Sequence, residues 1–184
     1  MIYRFSVLAF AFLFLVGCSD PISVDSEAPV AEQGRFTPPN PATKNLTIAE
    51  IVVATVEDSG EFSTLLAALS RADLVGAVSG RSIFTVFAPT NAAFKKIGLD
   101  AHNIDTVPVD ALTDILLYHV VKGRKVASIV LGAESLTTLQ GGSLKVDAAN
   151  GALIDANGGS SSIVAVDIAA RNGIVHVIDS VVLP

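Results

Sequence analysis

The residues of this chain that could do chemistry are few: one cysteine, Cys18, three histidines, His102, His119 and His176, and scattered serines and acids. Covalent hydrolysis needs a nucleophile within reach of a base, general acid–base work needs paired carboxylates, and a metal centre needs ligands at short repeated spacing. The chain offers none of these patterns, because the histidines stand far apart and no second cysteine accompanies Cys18. A hydrolase would rest only on Ser, His and Asp residues whose coexistence is expected in any soluble chain. The expectation is a non-catalytic protein with no metal ligands and no cofactor.

Each histidine then needs a structural reason. His102 lies in a polar stretch and reads as an exposed loop residue. His176 lies in Ile174-Val175-His176-Val177-Ile178, where strand alternation puts Ile174 and Ile178 on its own face and Val175 and Val177 on the other. It is expected to be a hydrogen-bonded or half-exposed strand residue rather than a zinc ligand. His119 follows Tyr118 inside an apolar run and cannot be buried without a hydrogen-bond partner. Asn91 is the natural candidate, its side chain or nearby backbone bonding the imidazole and locking two segments together.

Cys18 makes no internal disulfide, being the only cysteine. It closes a leader in which Arg4 precedes the apolar run Val7 to Val16, too short to span a bilayer comfortably as a mature helix. Leu15-Val16-Gly17-Cys18 resembles a bacterial lipobox, which implies a signal peptide over residues 1–17 and lipid on the Cys18 thiol, so that the membrane is a partner. By the same resemblance, Ser19 in place of aspartate implies delivery to an outer membrane or cell surface. Residues 18–44 are polar and hold Pro21, Pro29, Pro38, Pro39 and Pro41, a composition that reads as a disordered tether.

A chain of 184 residues, 51% of them hydrophobic, has room for one well-buried domain, expected over residues 45–184 and monomeric. The net charge of -6, with scattered basic residues, argues against a nucleic-acid partner and for one that is not strongly anionic. Lys122, Arg124 and Lys125 read as a solvated turn.

The elements that must position these residues can be read from periodicity. Thr47 and Glu50 form a capping-box pattern ahead of Ile48, Ile51, Val52 and Thr55 at helical spacing. A second helix is expected from Glu61 or Phe62, a third over Ala72 to Val78. Ile83 to Pro89 reads as a buried strand that turns at Thr90 into a short helix closed by Gly98, with Phe87 and Phe94 sharing one core. Val109 to Tyr118 is helical, strand character returns before Lys122-Gly123, and a short helix covers Val126 to Leu131. Strands follow at Leu136 to Leu139, Ser143 to Ala148, Ala152 to Asp155, Ile163 to Ala169 and Ile174 to Ile178, with a hairpin at Asn150-Gly151 and Val181 to Leu183 as the last sheet edge. Helices first and antiparallel strands second make an α+β layout with a β-sandwich or wedge.

Three stretches, in order and spacing, resemble the signature blocks of the fasciclin (FAS1) family: Thr85-Val86-Phe87-Ala88-Pro89-Thr90-Asn91-Ala92-Ala93-Phe94, Leu117-Tyr118-His119-Val120-Val121, and Asn172 through Pro184. Leu139-Gln140-Gly141-Gly142 adds a fourth point of agreement. The resemblance implies a β-sandwich with helices packed at one side, found mostly in secreted or surface-held adhesion proteins, and partners among surface or matrix proteins or polysaccharides. It assigns Pro89, Thr90, Asn91, Phe94, His119 and His176 to bracing the fold. It also makes Tyr118 and His119, through association with integrin-type recognition, and Asp167-Ile168 candidate interaction residues, the latter pair otherwise reading as a strand end before a turn. Some family members bind carotenoids, so an apolar small-molecule ligand is the alternative.

Overall fold

The computed structural model describes residues 44–184, and the expectations for Cys18, the signal segment and most of the tether lie outside the described residues. Helix α1, Ile48–Ser59, begins as its sequence requires: the Thr47 hydroxyl accepts from Glu50 N–H, and the Glu50 carboxylate accepts from Thr47 N–H at 2.6 Å. It buries Ile48, Ala49, Ile51, Val52 and Thr55, one face of a helix, and stops at Gly60. Helix α2, Ser63–Arg71, starts one residue after the predicted boundary because Phe62 takes a left-handed backbone, φ 65°, with its ring buried. Helix α3 is confined to Val75–Ser79.

Strand β1, Phe84–Pro89, runs into α4, Asn91–Lys96, whose first turn is capped by the Thr90 hydroxyl accepting from Ala93 N–H at 3.1 Å. A 3-10 turn at Ile104–Thr106 leads to α5, Val109–Tyr118, and then to β2, Val120–Lys122, and α6, Ala127–Leu131. The remaining strands are β3, Ser135–Thr137, β4, Ser143–Asp147, β5, Ala152–Ile154, β6, Ser160–Ala170, and β7, Gly173–Ile178.

All seven belong to one mixed sheet of order β2-β1-β7-β6-β5-β4-β3. Every neighbouring pair is antiparallel except β1 with β7, which is parallel with Phe87 opposite His176. The two edges of the sheet meet: Val121 bridges Thr138, and Leu139 N–H donates to the Val120 carbonyl at 2.8 Å. The sheet therefore curls into a nearly closed wedge, with few exposed backbone edges.

This curl creates two cores. On the helical side Val86, Ala88, Val175 and Val177 pack with Ile48, Leu65, Phe94, Leu112 and Leu116. Inside the wedge Phe87 and Ile178 pack with Tyr118, Leu144, Leu153 and Val182. Because both faces are covered, β1 and β7 read as continuous apolar runs rather than alternating ones. The same geometry overturns the expectation that Phe87 and Phe94 share a core. Side chains alternate along β1, so Phe87 faces away from Val86 and Ala88 and into the wedge, while α4 lays Phe94 on the helical side.

Val181–Leu183 does not extend the sheet either. The Ser161 hydroxyl accepts from Ser180 N–H at 3.2 Å and donates to the Ser180 carbonyl at 2.8 Å, turning the chain off β7. Val182 N–H and Leu183 N–H then donate to side chains, His119 and Asp155, instead of to a strand.

Candidate functional site

His119 lies at the end of α5 and is 3% exposed. Its Nδ1 lies 2.7 Å from the Ile115 carbonyl, one turn back, and its Nε2 accepts from Val182 N–H at 3.2 Å. A carbonyl only accepts and an N–H only donates, so these partners fix the neutral tautomer with its proton on Nδ1. Burial holds the pKa down at about 4, and the bond to the Ile115 carbonyl opposes that only in part.

The expected partner, Asn91, is engaged elsewhere. Its Oδ1 accepts from Thr64 N–H at 3.2 Å and from the Ser63 hydroxyl, and its Nδ2 donates to the Gly60 carbonyl at 2.8 Å. Asn91 opens α4 on the helical side and ties it to the α1–α2 connection, whereas the His119 ring reaches the chain after β7. The two residues brace different seams of the molecule.

His176 is fully buried in β7 rather than half-exposed. Its Nε2 donates to the Lys125 carbonyl at 2.9 Å and its Nδ1 accepts from Asp167 N–H at 3.3 Å, the opposite tautomer to that of His119. Burial lowers its pKa as well, against the raising influence of the Lys125 bond and the Asp167 charge. His102 is exposed, as expected.

Tyr118 is 0% exposed, and its hydroxyl donates to the Ser143 carbonyl at 2.9 Å. Burial raises its pKa, and the Asp155 carboxylate adds to the rise. Gly142 packs close to the ring, where a Cβ would come 2.7 Å from Tyr118 Cε2. Tyr118 and His119 are therefore interior residues. A partner reaches them only through the surfaces that they hold in place.

Asp167 and Ile168 separate. Asp167 is exposed and Ile168 is buried in the helical-side core. The pair does not end a strand; it sits within β6 at an irregularity where the register jumps between Ala165 and Ile168. Asp167 has φ 58°, and its Oδ1 accepts from Ala127 N–H at 2.8 Å, so it serves the start of α6 from a neighbouring strand. A second irregularity, between Ile163 and Ala165, leaves Val164 exposed, as is Val166.

Two further polar residues brace the fold: Asn172, whose only sequence signal is that it opens the third signature block, and Asp155, which has none. Asn172, 5% exposed, accepts from Ile48 N–H through Oδ1 and donates to the carbonyls of Val78 and Gly80, joining α1, α3 and β7. Asp155 accepts from Asn157, Gly159 and Leu183 N–H groups. Pro89 is buried at the end of β1. Among the described residues no group of three or more His, Cys, Asp or Glu could hold a metal ion, and no helix is long and apolar enough to cross a membrane.

A family model described as Fasciclin domain matches residues 60–184. Protein sll1483 of Synechocystis sp. is 34% identical over 182 residues, covering 97% of this chain and 96% of that protein. The cell surface glycolipoprotein MPB83 of Mycobacterium bovis is 33% identical over 213 residues, covering 97% and 93% respectively. In fold, the chain is similar to a solved FAS1 domain pair from the insect cell adhesion molecule fasciclin I. The TM-score is 0.60 at 19% identity, over 76% of this chain and 51% of that one.

Proposed function

This chain belongs to the Fasciclin domain family, and from that premise we propose that it is a lipid-anchored, extracytoplasmic, non-catalytic module for cell adhesion or surface and matrix contact. The observation that carries this reading is the use of the interior histidines. His119 and His176 each engage both ring nitrogens with backbone partners, and Tyr118 engages its hydroxyl in the same way. Such groups hold a scaffold together and leave no base free for a substrate. Recognition then falls to the outer surface, by a protein or polysaccharide partner.

Anchoring rests on the lipobox-like Leu15-Val16-Gly17-Cys18, and it agrees with a similar protein being described as a cell surface glycolipoprotein. Residues 18–44 serve as tether and residues 45–184 as the module. The description of fasciclin I as a cell adhesion molecule belongs to that protein, and it supports the same class of role here.

Expression of the full chain in a bacterial host with labelled palmitate tests the anchor: label on the wild type and none on Cys18→Ser is the expected result. Beads coated with the protein should adhere to cell-surface or matrix material more than beads coated with a misfolded variant. Equal adhesion removes the contact role, and absence of label removes the anchor.

One feature favours the alternative ligand class. A shallow groove of about 300 Å³ between α1 and α3 is lined by Leu46, Ala49, Val53, Ala54 and Val75, with Glu50 and Glu57 among its lining residues. Visible absorption by the protein from its native source, or gained on adding carotenoid, would select this reading.

A further inference from the structure

The fold gathers basic residues that the sequence scatters. In register, Phe84 at the start of β1 lies between Lys122, the last residue of β2, and Gly173, the first of β7. Adjacent strands are spaced about 4.8 Å apart, so these three chain ends occupy a patch about 10 Å across. Arg81 leads into β1, Arg124 and Lys125 follow β2, and Arg171 leads into β7. Lys44 joins them, because Arg171 N–H donates to the Leu46 carbonyl at 2.7 Å. These six are half of the 12 basic residues in a chain whose net charge is -6.

One of these charges is fixed in place by hydrogen bonds, and none of the six sits in a close ion pair with a described residue. Arg124 Nη2 donates to the carbonyls of Ala170 and Arg171, at 3.1 and 3.3 Å, which fixes the guanidinium without a counter-charge. Among the described residues the close ion pairs are Arg71–Asp105 and Lys96–Asp179, both elsewhere. Two carboxylates border the pole: Asp167, whose Oδ1 accepts from Ala127 N–H, and Glu50, which accepts from Thr47 N–H and attracts Arg171, so the six cations outnumber them. Separations near the Debye length let the cluster act as one field.

We propose that this pole docks on the anionic headgroups of the membrane that carries the lipid anchor. Two observations select a membrane: the sign of the charge, and the point at which the chain enters the domain. The segment leading back to Cys18 leaves the domain at Leu46, beside Arg171, so the basic pole is the end from which the tether departs. Lys44 lies only 26 positions after Cys18, at most about 3.6 Å each. Tethering converts weak headgroup contact into an intramolecular event and so raises its occupancy. The domain would then stand with this pole down and the opposite end, around α4, directed outward. This orientation rests on the anchoring reading; the affinity of the pole for anionic lipid does not.

The test uses the full chain carrying Cys18→Ser, mixed with vesicles of phosphatidylcholine alone or containing phosphatidylglycerol, at low and high salt. The apolar leader and its Arg4 are common to every variant, so the difference between variants isolates the pole. Binding should be stronger to the anionic vesicles, with the excess lost at high salt. Each pole residue removed in Arg81→Gln/Arg171→Gln should lower that affinity roughly fivefold, the equivalent of about 1 kcal/mol. The equal-charge control Lys95→Gln/Lys145→Gln should leave it within about twofold. Neither Arg81 nor Arg171 makes a side-chain hydrogen bond, and the attraction of Arg171 to Glu50 is solvent-exposed and weak, so melting curves should nearly coincide. Equal binding to both vesicle types, or equal loss in the two variants, overturns the proposal. So does tighter binding to soluble acidic polysaccharide than to anionic vesicles. Palmitate labelling of Cys18 reports on the anchor separately from all of these.

Discussion

The ring of Phe87 lies against the imidazole of His176, with centroids 5.6 Å apart and planes 24° from parallel. The backbone N–H of the same phenylalanine donates to the His119 carbonyl at 2.9 Å. One residue at the centre of the sheet thus touches both buried histidines, and burial holds both rings neutral.

That neutrality makes acid destabilising. Unfolded histidine takes up a proton near pH 6.5, whereas folded His119 resists it down to about pH 4. Between those values the unfolded state binds more protons, so stability falls as pH falls, by about 3 kcal/mol for His119 alone. His176 adds in the same direction. Glu50, Asp100 and Asp147, whose pKa values are depressed by hydrogen bonds, extend the loss below the ordinary carboxylate range. Urea midpoints at pH 7.5 and 4.5 should differ accordingly, and less so in His119→Gln; a flat profile would show that the imidazole is not locked neutral.

Removing the His119 ring leaves Val182 N–H and the Ile115 carbonyl without it, at a cost of about 1 to 3 kcal/mol. Asn91→Ala should be destabilising in its own right. Because the two side chains brace different seams, the double variant should be additive within about 0.5 kcal/mol. Coupling well beyond that in denaturant titrations would restore the direct pairing.

Gly173 is where β7 begins against β1. A Cβ there would fall far inside van der Waals contact distance of the Phe84 carbonyl oxygen and 2.9 Å from Ile48 Cδ1. Since the obstacle is backbone in mid-sheet, Gly173→Ala should cost more than about 4 kcal/mol or prevent folding. A circular dichroism melt near that of the wild type would contradict the close approach.

Asp167 separates charge from structure. Asn tolerates a left-handed backbone and keeps an oxygen for Ala127 N–H, so Asp167→Asn should stay within about 0.5 kcal/mol of wild type. Asp167→Ala keeps the strained φ and loses the bond, at about 1 kcal/mol. With the fold intact, loss of bead adhesion in Asp167→Asn would place the carboxylate in the contact itself; unchanged adhesion would limit it to serving α6.

What could be read in advance was local. The Thr47–Glu50 capping box, the Thr90 cap, the bounds of α5 and the hairpin at Asn150-Gly151 follow from residues within a few positions of one another. The partner of His119 was illegible because it is a backbone N–H 63 residues away, and an N–H has no sequence signature. Apolar spacing alone puts Phe87 and Phe94 in one core, because it cannot say that a sheet will curl and part them. The irregularity at Asp167 had no glycine to announce it. The basic pole needed the register of three strands before its members could be seen together.

The parallel pairing of β1 with β7 also sets the order in which the molecule can form. Phe84 waits for Gly173, a partner 89 positions further along, and Tyr118 and Leu144 wait for Val182 to close over them. Such long loops must close before the contacts they bring can repay the loss of chain freedom, which makes folding slow and late. A nascent chain that ends before Gly173 lacks the strand that joins the β2-β1 pair to the β6-β5-β4-β3 meander. Until that strand is made the two halves of the sheet cannot close into one body, and the wedge core stays open.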